Sequence, residues 1–273
     1  MSSEEIPPDH PRAASLRVRH RITDGLDRNI VTKAGLIAQG RGEAFDYFLG
    51  EKTPVPAEEA MKVAVALILN AKHPVISVNG NAAALDAKST VDLARETDAK
   101  IEINIFYAAP GRVEAIRDEL RAAGAGELLG LGDVAPTTIA ELSSNRRIVD
   151  PRGIKIADVV LVPLEDGDRT EALRKEGKLI IAIDLNPLSR TAQMASVTIV
   201  DNFIRCMPRM VELSQQLKKM TRDERDTLIS RFSNEQNLLA SIQVMVNHLT
   251  SLIKKGISLS VEFNADAQSS QKK

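Results

Sequence analysis

The spacing of apolar residues changes twice along the chain. Between Pro11 and Asn29, Leu16, Ile22 and Leu26 recur at helical spacing among basic side chains, which predicts an amphipathic helix ending near Gly25 to Asn29. "VTKAGLIAQGRGEAFDYFLGEKT" predicts two helical pieces broken at Gly40-Arg41-Gly42. "PAEEAMKVAVALILNAK" opens on a proline and two acids and is then apolar nearly all round, the pattern of a buried helix. From Pro74 the rhythm shortens. Apolar runs in "PVISVNG", "KIEINIFY", "GELLGLG", "ADVVLVPL", "KLIIAIDL" and "VTIVD" alternate with helical stretches such as "NAAALDAKSTVDLARETD", "GRVEAIRDELRAAGA" and "DRTEALRKEG".

Continuous β-branched runs between helices are what a parallel sheet covered on both faces requires. The fold class is therefore α/β, a Rossmann-like, doubly wound and mainly parallel sheet with added N-terminal and C-terminal helices. Residues 133–155 lack the rhythm and read as an irregular insertion or lid. From Phe203 to about Ile253 the helical period returns in "RMVELSQQLKKM" and the long "TLISRFSNEQNLLASIQVMVNHLTSLI", joined near Thr221 and suited to a packed arm or a dimer seam. The expected organisation is a flexible N-terminus (1–9), an N-terminal helical region (10–72), a Rossmann-like ligand-binding core (73–202), C-terminal helices with a possible dimer contact (203–253) and a flexible tail (254–273).

Composition narrows the function. Aromatic residues make up 3% and Trp is absent, which argues against base-stacking platforms, and a net charge of -1 argues against a nucleic-acid backbone binder. Cys206 is the only cysteine, so an internal disulfide or a multi-cysteine metal site is excluded. The start, "MSSEEIPPDHPR", lacks the basic end and apolar run of a signal peptide, and no stretch reaches about 18 apolar residues. The expectation is a soluble cytoplasmic protein with no membrane partner. The four histidines are scattered without ligand spacing, and P-loop, G-x-G-x-x-G, G-x-S-x-G and H-E-x-x-H motifs are missing.

Candidate chemistry gathers at the ends of the expected strands, where ligands of open parallel sheets bind. Asn79-Gly80-Asn81 follows "PVISV"; it can present amides to an anion, or simply make a tight βα turn. Asn104 and Tyr107 end a second strand. Glu165-Asp166-Gly167-Asp168-Arg169-Thr170 follows a third: its acids suit Mg²⁺ or an ammonium group, Arg169 suits phosphate or carboxylate, and Asp168 alternatively caps the next helix. Asp184, Asn186, Arg190 and Thr191 lie in "DLNPLSRT", either a nucleotide-contacting loop or only a long polar one. Arg41 between two glycines suits a close ligand approach, or marks a helix break with a surface arginine.

The blocks "TKAGLIAQGRGEAFDYFLGE", "VISVNGNAAAL", "KIEINIFY", "ADVVLVPLEDGDRTEAL" and "IDLNPLSRTAQMASVTIVDN", in this order, resemble the archaeal 4-phosphopantoate beta-alanine ligase (phosphopantothenate synthetase) family over roughly residues 10–253. The resemblance implies a homodimer that condenses 4-phosphopantoate with β-alanine at the expense of ATP with Mg²⁺, releasing AMP and diphosphate in coenzyme A biosynthesis. It implies nucleotide contacts at Arg19, Arg41, Asp184, Leu185, Asn186, Arg190, Thr191, Asn202 and Phe203. Ala13 and Ala14 stand where the family tends to have aromatics. For the chemistry, Asp166 or Asp168 is expected to hold Mg²⁺ or the β-alanine ammonium, and Arg169 with Asn79 and Asn81 the phosphopantoate, Glu165 being a weaker candidate for the amine proton. The metal ligands stay unassigned. Another nucleotide-dependent transferase or kinase, or a non-catalytic ATP sensor, would use the same strand ends.

Overall fold

A computed structural model describes residues 6–7, 12–107, 109–140, 142, 144–164 and 167–255. Its strands are β1 (Pro74–Val78), β2 (Lys100–Ile103), β3 (Thr137–Thr138), β4 (Ile148–Val149), β5 (Val159–Pro163), β6 (Leu179–Ile183) and β7 (Val197–Ile199). The helices are α1 (Ala13–Asp27), α2 (Lys33–Leu49), α3 (Val55–Asn70), α4 (Gly80–Thr97), α5 (Arg112–Ala122), α6 (Gly167–Lys175), α7 (Arg190–Met194), α8 (Phe203–Leu217), α9 (Arg222–Ser230) and α10 (Asn234–Lys255). The main sheet has the order β2-β1-β5-β6-β7 with every neighbouring pair parallel, while β3 and β4 form a separate antiparallel pair. The chain thus winds outward from β1 to β2, then crosses to β5 on the other side, so the direction reverses between β1 and β5.

Strand periodicity divides each strand between two apolar layers. Ile76, Val78, Ile101, Ile103, Leu161, Ile181, Ile183, Val197 and Ile199 join a core with α3, α4 and α8. Their neighbours Val75, Val160, Val162, Ile180 and Ala182 turn to the other face, covered by Leu173 of α6 and by Ile139, Leu142, Val149 and Ile154. At about 25 cal/mol per Å² of apolar surface, burial on both faces is the main stabilising term and fixes the register. Beyond β7, Thr198 holds α10: its N–H donates to Asn234 Oδ1 at 2.7 Å and its carbonyl accepts from Asn237 Nδ2 at 2.8 Å.

Four expectations are corrected. First, α2 runs unbroken through Gly40-Arg41-Gly42. A mid-helix glycine costs about 1 kcal/mol against alanine, but both ends of α2 are anchored. Thr32 caps its start by accepting from Gly35 N, and Asp46 near its end accepts from Asn202 and Arg205. Second, "GELLGLG" forms no strand; only Leu129 bridges to Glu102, and Gly130 and Gly132 both have φ of +80°, which a strand does not allow. Third, residues 133–155 are not free of the sheet as a lid would be: beside the short β3–β4 pair, Ile139, Leu142, Val149 and Ile154 pack as one cover of it. Fourth, the long C-terminal helix is split at Arg231–Ser233 into α9 and α10, and α10 extends to Lys255.

Candidate functional site

The crevice beyond the carboxyl ends of β1 and β5 is where a doubly wound sheet opens for a ligand. Asn79 closes its floor. Its Oδ1 accepts from Ala82 N at 3.0 Å and caps α4, while its Nδ2 donates to the carbonyls of Pro163 at 2.9 Å and Leu164 at 3.3 Å. One side chain thereby staples the two strand ends at the switch point. Asn81 reaches the other way, donating to the Gly35 carbonyl of α2 at 2.9 Å. Between them Gly80 has no room for a side chain: a Cβ would lie 2.0 Å from the Ile30 carbonyl oxygen. Both asparagine side chains are therefore engaged in holding the crevice, and the start of α4 enters it.

Two cavities open there. The first, about 230 Å³, is lined by Thr32 and Gly35 of α2, Asn79-Gly80-Asn81, Ile105, Phe106, Tyr107, Arg112, Arg146 and Leu164. Arg112 is tied in place, with Nε donating to Asn29 O, Nη2 to Asn29 Oδ1 and Nη1 to Tyr107 O. Arg146 sits on a 3-10 turn, Asn145–Arg147, and is 7% exposed.

The turn is docked by β2. Asn104 Nδ2 donates to Ile148 O at 2.9 Å, and Glu102, fully buried, accepts from Asp150 N at 3.0 Å and Ile154 N at 2.6 Å. A side chain at Gly153 would fall 2.1 Å from the Glu102 carboxylate. Burial raises Glu102 to about 7, against the pull of the two backbone donors and the nearby Arg169 charge. Asp150 lies at about 2 because Arg152 grips its carboxylate.

The second cavity, about 390 Å³, is lined by Gln39, Arg41, Gly42, Phe45, Gly167, Asp184, Leu185, Asn186, Ser189, Arg190, Thr191, Asp201, Asn202 and Phe203. The turn after β6 is built around Asp184, whose carboxylate accepts from Asn186 N at 2.9 Å and from the Ser189 hydroxyl. Burial raises the Asp184 pKa, and the hydrogen bonds and the Arg41 charge oppose that rise. Asn202 caps α8 and donates to Asp46 Oδ2 at 2.8 Å; Arg205 bridges Asp46 and Asp201. Burial also raises Asp201, in opposition to the Arg205 charge.

Of the residues that the resemblance implies for the nucleotide, Arg41, Asp184, Leu185, Asn186, Arg190, Thr191, Asn202 and Phe203 are brought to this one cavity. Arg19 is not among its lining residues; it is exposed on α1 and pairs with Glu43. Ala38 and Leu164 line both cavities, so the two meet.

The acidic stretch after β5 divides. Glu165 and Asp166 lie outside the described residues. Asp168 falls inside the first turn of α6, beyond the capping position, and pairs with Arg190, which also pairs with Glu171. Arg190 thus ties the start of α7 to α6 and offsets two of the neighbouring acids. Arg169 turns inward, fully buried, with both terminal nitrogens 3.2 Å from the Ser77 hydroxyl on β1. It lines neither cavity directly.

Arg112, Arg146, Thr32 and Phe106 escaped the reading of the sequence. Arg146 stands in the one stretch without periodicity, and Arg112 opens an ordinary amphipathic helix. Cys206 is fully buried and its thiol pKa is pushed well up by desolvation, so it is a packed residue. Among the described residues no helix is long and apolar enough to cross a membrane, and no group of three or more His, Cys, Asp or Glu side chains is placed to hold a metal ion.

The fold and its site thus define a doubly wound α/β protein with two adjoining cavities at the carboxyl edge of its sheet. Comparison with known proteins supplies the family. Residues 56–248 match the phosphopantothenate/pantothenate synthetase family, and the chain belongs to it. It is similar to the 4-phosphopantoate--beta-alanine ligase of Thermococcus kodakarensis, 51% identical over 92% of this chain and 96% of that protein. The Methanosarcina mazei protein of the same name is 47% identical over 91% of this chain and 97% of its own length.

Proposed function

We propose that this chain is an ATP-dependent ligase that condenses 4-phosphopantoate with β-alanine to 4'-phosphopantothenate, releasing AMP and diphosphate, in coenzyme A biosynthesis. The observation that carries this reading is the meeting of the two cavities at Ala38 and Leu164. A carboxylate and an amine do not condense unaided in water, so the carboxylate must be activated beside a nucleotide. The cavity around Arg41, Asp184 and Arg190 takes ATP, and the one around Asn79-Gly80-Asn81, Arg112 and Arg146 takes 4-phosphopantoate.

The substrate carboxylate attacks the α-phosphorus and diphosphate leaves, giving an acyl adenylate. The β-alanine amine then attacks the acyl carbon, AMP leaves and one proton is lost. Two anions must approach each other, and the arginines on both sides lower that repulsion. Positioning in adjoining cavities contributes further, by up to about 7–11 kcal/mol for well-oriented reactants. Mg²⁺, carried by the nucleotide, supplies charge screening on the phosphates and needs only one or two protein carboxylates. Asp168, beside Arg190, fits as one of these, with Asp166 the other candidate. Arg169, buried against Ser77 of β1, braces the sheet beneath the site. A homodimer in the cytoplasm completes the reading; Leu239, Val246, Leu249 and Ile253 leave an exposed apolar face on α10 that suits a second copy.

The test is an endpoint assay by mass spectrometry with ATP, Mg²⁺, 4-phosphopantoate and β-alanine, each omitted in turn. Phosphopantothenate with matching AMP, dependent on every component, is the expected result. ADP in place of AMP would indicate a kinase, and ATP bound but never consumed would indicate a sensor.

A further inference from the structure

We propose that Asp46 is a positioning residue of the second cavity, which it holds to its working width by tying the far half of α2 to the start of α8. The proposal rests on the functional reading above, which seats ATP in this cavity, and it adds a residue that acts from behind the wall. Three observations carry it.

The first is the origin of the walls. Gln39, Arg41, Gly42 and Phe45 bring one wall from α2, while Asn202 and Phe203 bring another from the start of α8. Asp46 and Asn202 are 156 residues apart in sequence, so nothing local holds the two walls together. Asp46 is 6% exposed and is not among the lining residues.

The second is bonding. Asp46 Oδ2 accepts from Asn202 Nδ2 at 2.8 Å and from Arg205 Nη1 at 3.1 Å, and its Oδ1 accepts from Arg205 Nη2. Both oxygens are thus engaged with α8, and one bond reaches the residue that caps this helix and lines the cavity. Arg205 Nε continues to Asp201 Oδ1 at 2.8 Å, and Asp201 Oδ2 accepts from the Thr53 hydroxyl at 2.6 Å. Charge-assisted bonds are strong and directional, so they fix a spacing that apolar contact alone would let slide. The third is space. A cavity of about 50 Å³ adjoins the join, with Gln39, Asp46, Asn202 and Arg205 in its lining. Close packing is interrupted there, which leaves the polar bonds to set the position.

The near half of α2 is held separately. Thr32 caps its start, and Asn81 donates to the Gly35 carbonyl at 2.9 Å. Thr32 and Gly35 line the first cavity, and Asp46 does not. Loss of the Asp46 bonds therefore frees the end of the helix beside the second cavity and leaves the other end anchored. The count of charges favours a clean test. Two carboxylates share one guanidinium, so removing the charge of Asp46 leaves Arg205 paired with Asp201. An asparagine amide can accept through its oxygen, but its nitrogen then faces the remaining donors.

The full chain is titrated with ATP and Mg²⁺ by calorimetry, and steady-state KM values are measured for each substrate. In Asp46→Asn the Kd and KM for ATP should rise about tenfold, the order of one charge-assisted hydrogen bond, with the KM for 4-phosphopantoate within about twofold of the parent. Arg205→Lys, whose ammonium keeps the charge and loses the fork, should show the same split at about threefold. ATP affinity unchanged in both variants overturns the positioning role and leaves the ligase reading standing. Equal rises for ATP and 4-phosphopantoate do the same, because they mark a general loss of structure. A parent protein that binds ATP and forms no phosphopantothenate overturns the ligase reading alone, since calorimetry still reads the ATP shift. A parent that binds no ATP overturns both. If Asp46→Asn fails to fold, Arg205→Lys decides.

Discussion

The two cavities at the carboxyl edge of the sheet differ in the charged groups that their described lining residues bring together. In the first, two arginines and a helix start face no acid among the described lining residues, and the polar side chains beneath them, Asn79 and Asn81, are neutral and engaged with backbone. In the second, Arg41 and Arg190 stand among Asp184, Asp201 and Asp168, and the carboxylates are occupied by turns and ion pairs. The described lining of the first cavity thus brings in arginines and neutral amides. That of the second also brings in carboxylates, each engaged in a turn or an ion pair. On the proposed function, that difference in lining would let the two cavities take different ligands side by side.

The largest blow to this comparison falls on the first cavity alone. Gly80→Ala places a methyl group against the Ile30 carbonyl, and overpacking of this kind costs about 3 kcal/mol. Denaturant titration should show that loss, and the surviving folded protein should bind ATP normally while 4-phosphopantoate affinity falls. Full stability in the alanine variant would mean that the loop before α2 moves aside at little cost and that the wall is softer than its contacts imply. Next comes Arg41→Ala, which strikes the second cavity. It should lower turnover by at least about tenfold and raise the KM for ATP with an unaltered melting curve, because Arg41 is exposed and ends no buried pair. Unchanged turnover removes Arg41 from the site.

A smaller effect, read by pH, bears on the support of the first cavity. Glu102 backs the Arg146 turn, and burial lifts it from 4.5 to about 7. A carboxyl raised in the folded state binds its proton more tightly there, so its contribution is complete below the unfolded value and is lost as pH rises through about 7. Stability should therefore decline between about pH 5 and about pH 8, and Glu102→Gln should flatten that decline. Asp150, at about 2, titrates outside this window. Asp184 and Asp201 are also raised by burial and act with the same sign, so the difference between parent and variant isolates Glu102. A decline equally steep in the glutamine variant would show that Glu102 is not the group responsible.

The second cavity was more legible in the sequence than the first, for a physical reason. Asp184, Asn186, Arg190 and Thr191 are near one another in sequence, after an apolar run whose period marks it as a strand, so locating the strand located the residues, while Asn202 came from the resemblance alone. The first cavity is assembled from distant segments: Arg112 at the start of α5 and Arg146 on a turn fixed only by Asn104 and Glu102. No local period announces such a turn, and its partners on β2 look like polar interruptions of a strand until the fold gives them something to hold. The break expected in α2 failed for a related reason. Glycine lowers helix propensity locally, but tertiary anchoring through Asp46 and Asn81 decides the outcome. "GELLGLG" was misjudged because its glycines take positive φ, a backbone fact that an apolar count does not register.

The smallest expected effect bears on the join between the cavities. Asp168 was open to two readings, a helix cap or a functional acid, and its place inside the first turn of α6 with its carboxylate on Arg190 excludes the first. Both partners are exposed, so the pair is screened by water and contributes little to stability. Asp168→Asn should therefore leave the melting temperature within about 2 °C of the parent. Activity is the sensitive readout. If Asp168 assists the nucleotide's metal or the incoming ammonium, turnover should fall by about tenfold and rising Mg²⁺ or β-alanine should restore part of it, the ligand that restores it naming the role. If Asp168 only steadies Arg190, neither addition should help and the KM for ATP should rise in its place, because the arginine that lines the nucleotide cavity would have lost one of its two anchors. A variant with parent-like kinetics in every substrate would assign the join to residues other than Asp168 and leave the Arg190–Glu171 pair as the link between α6 and α7.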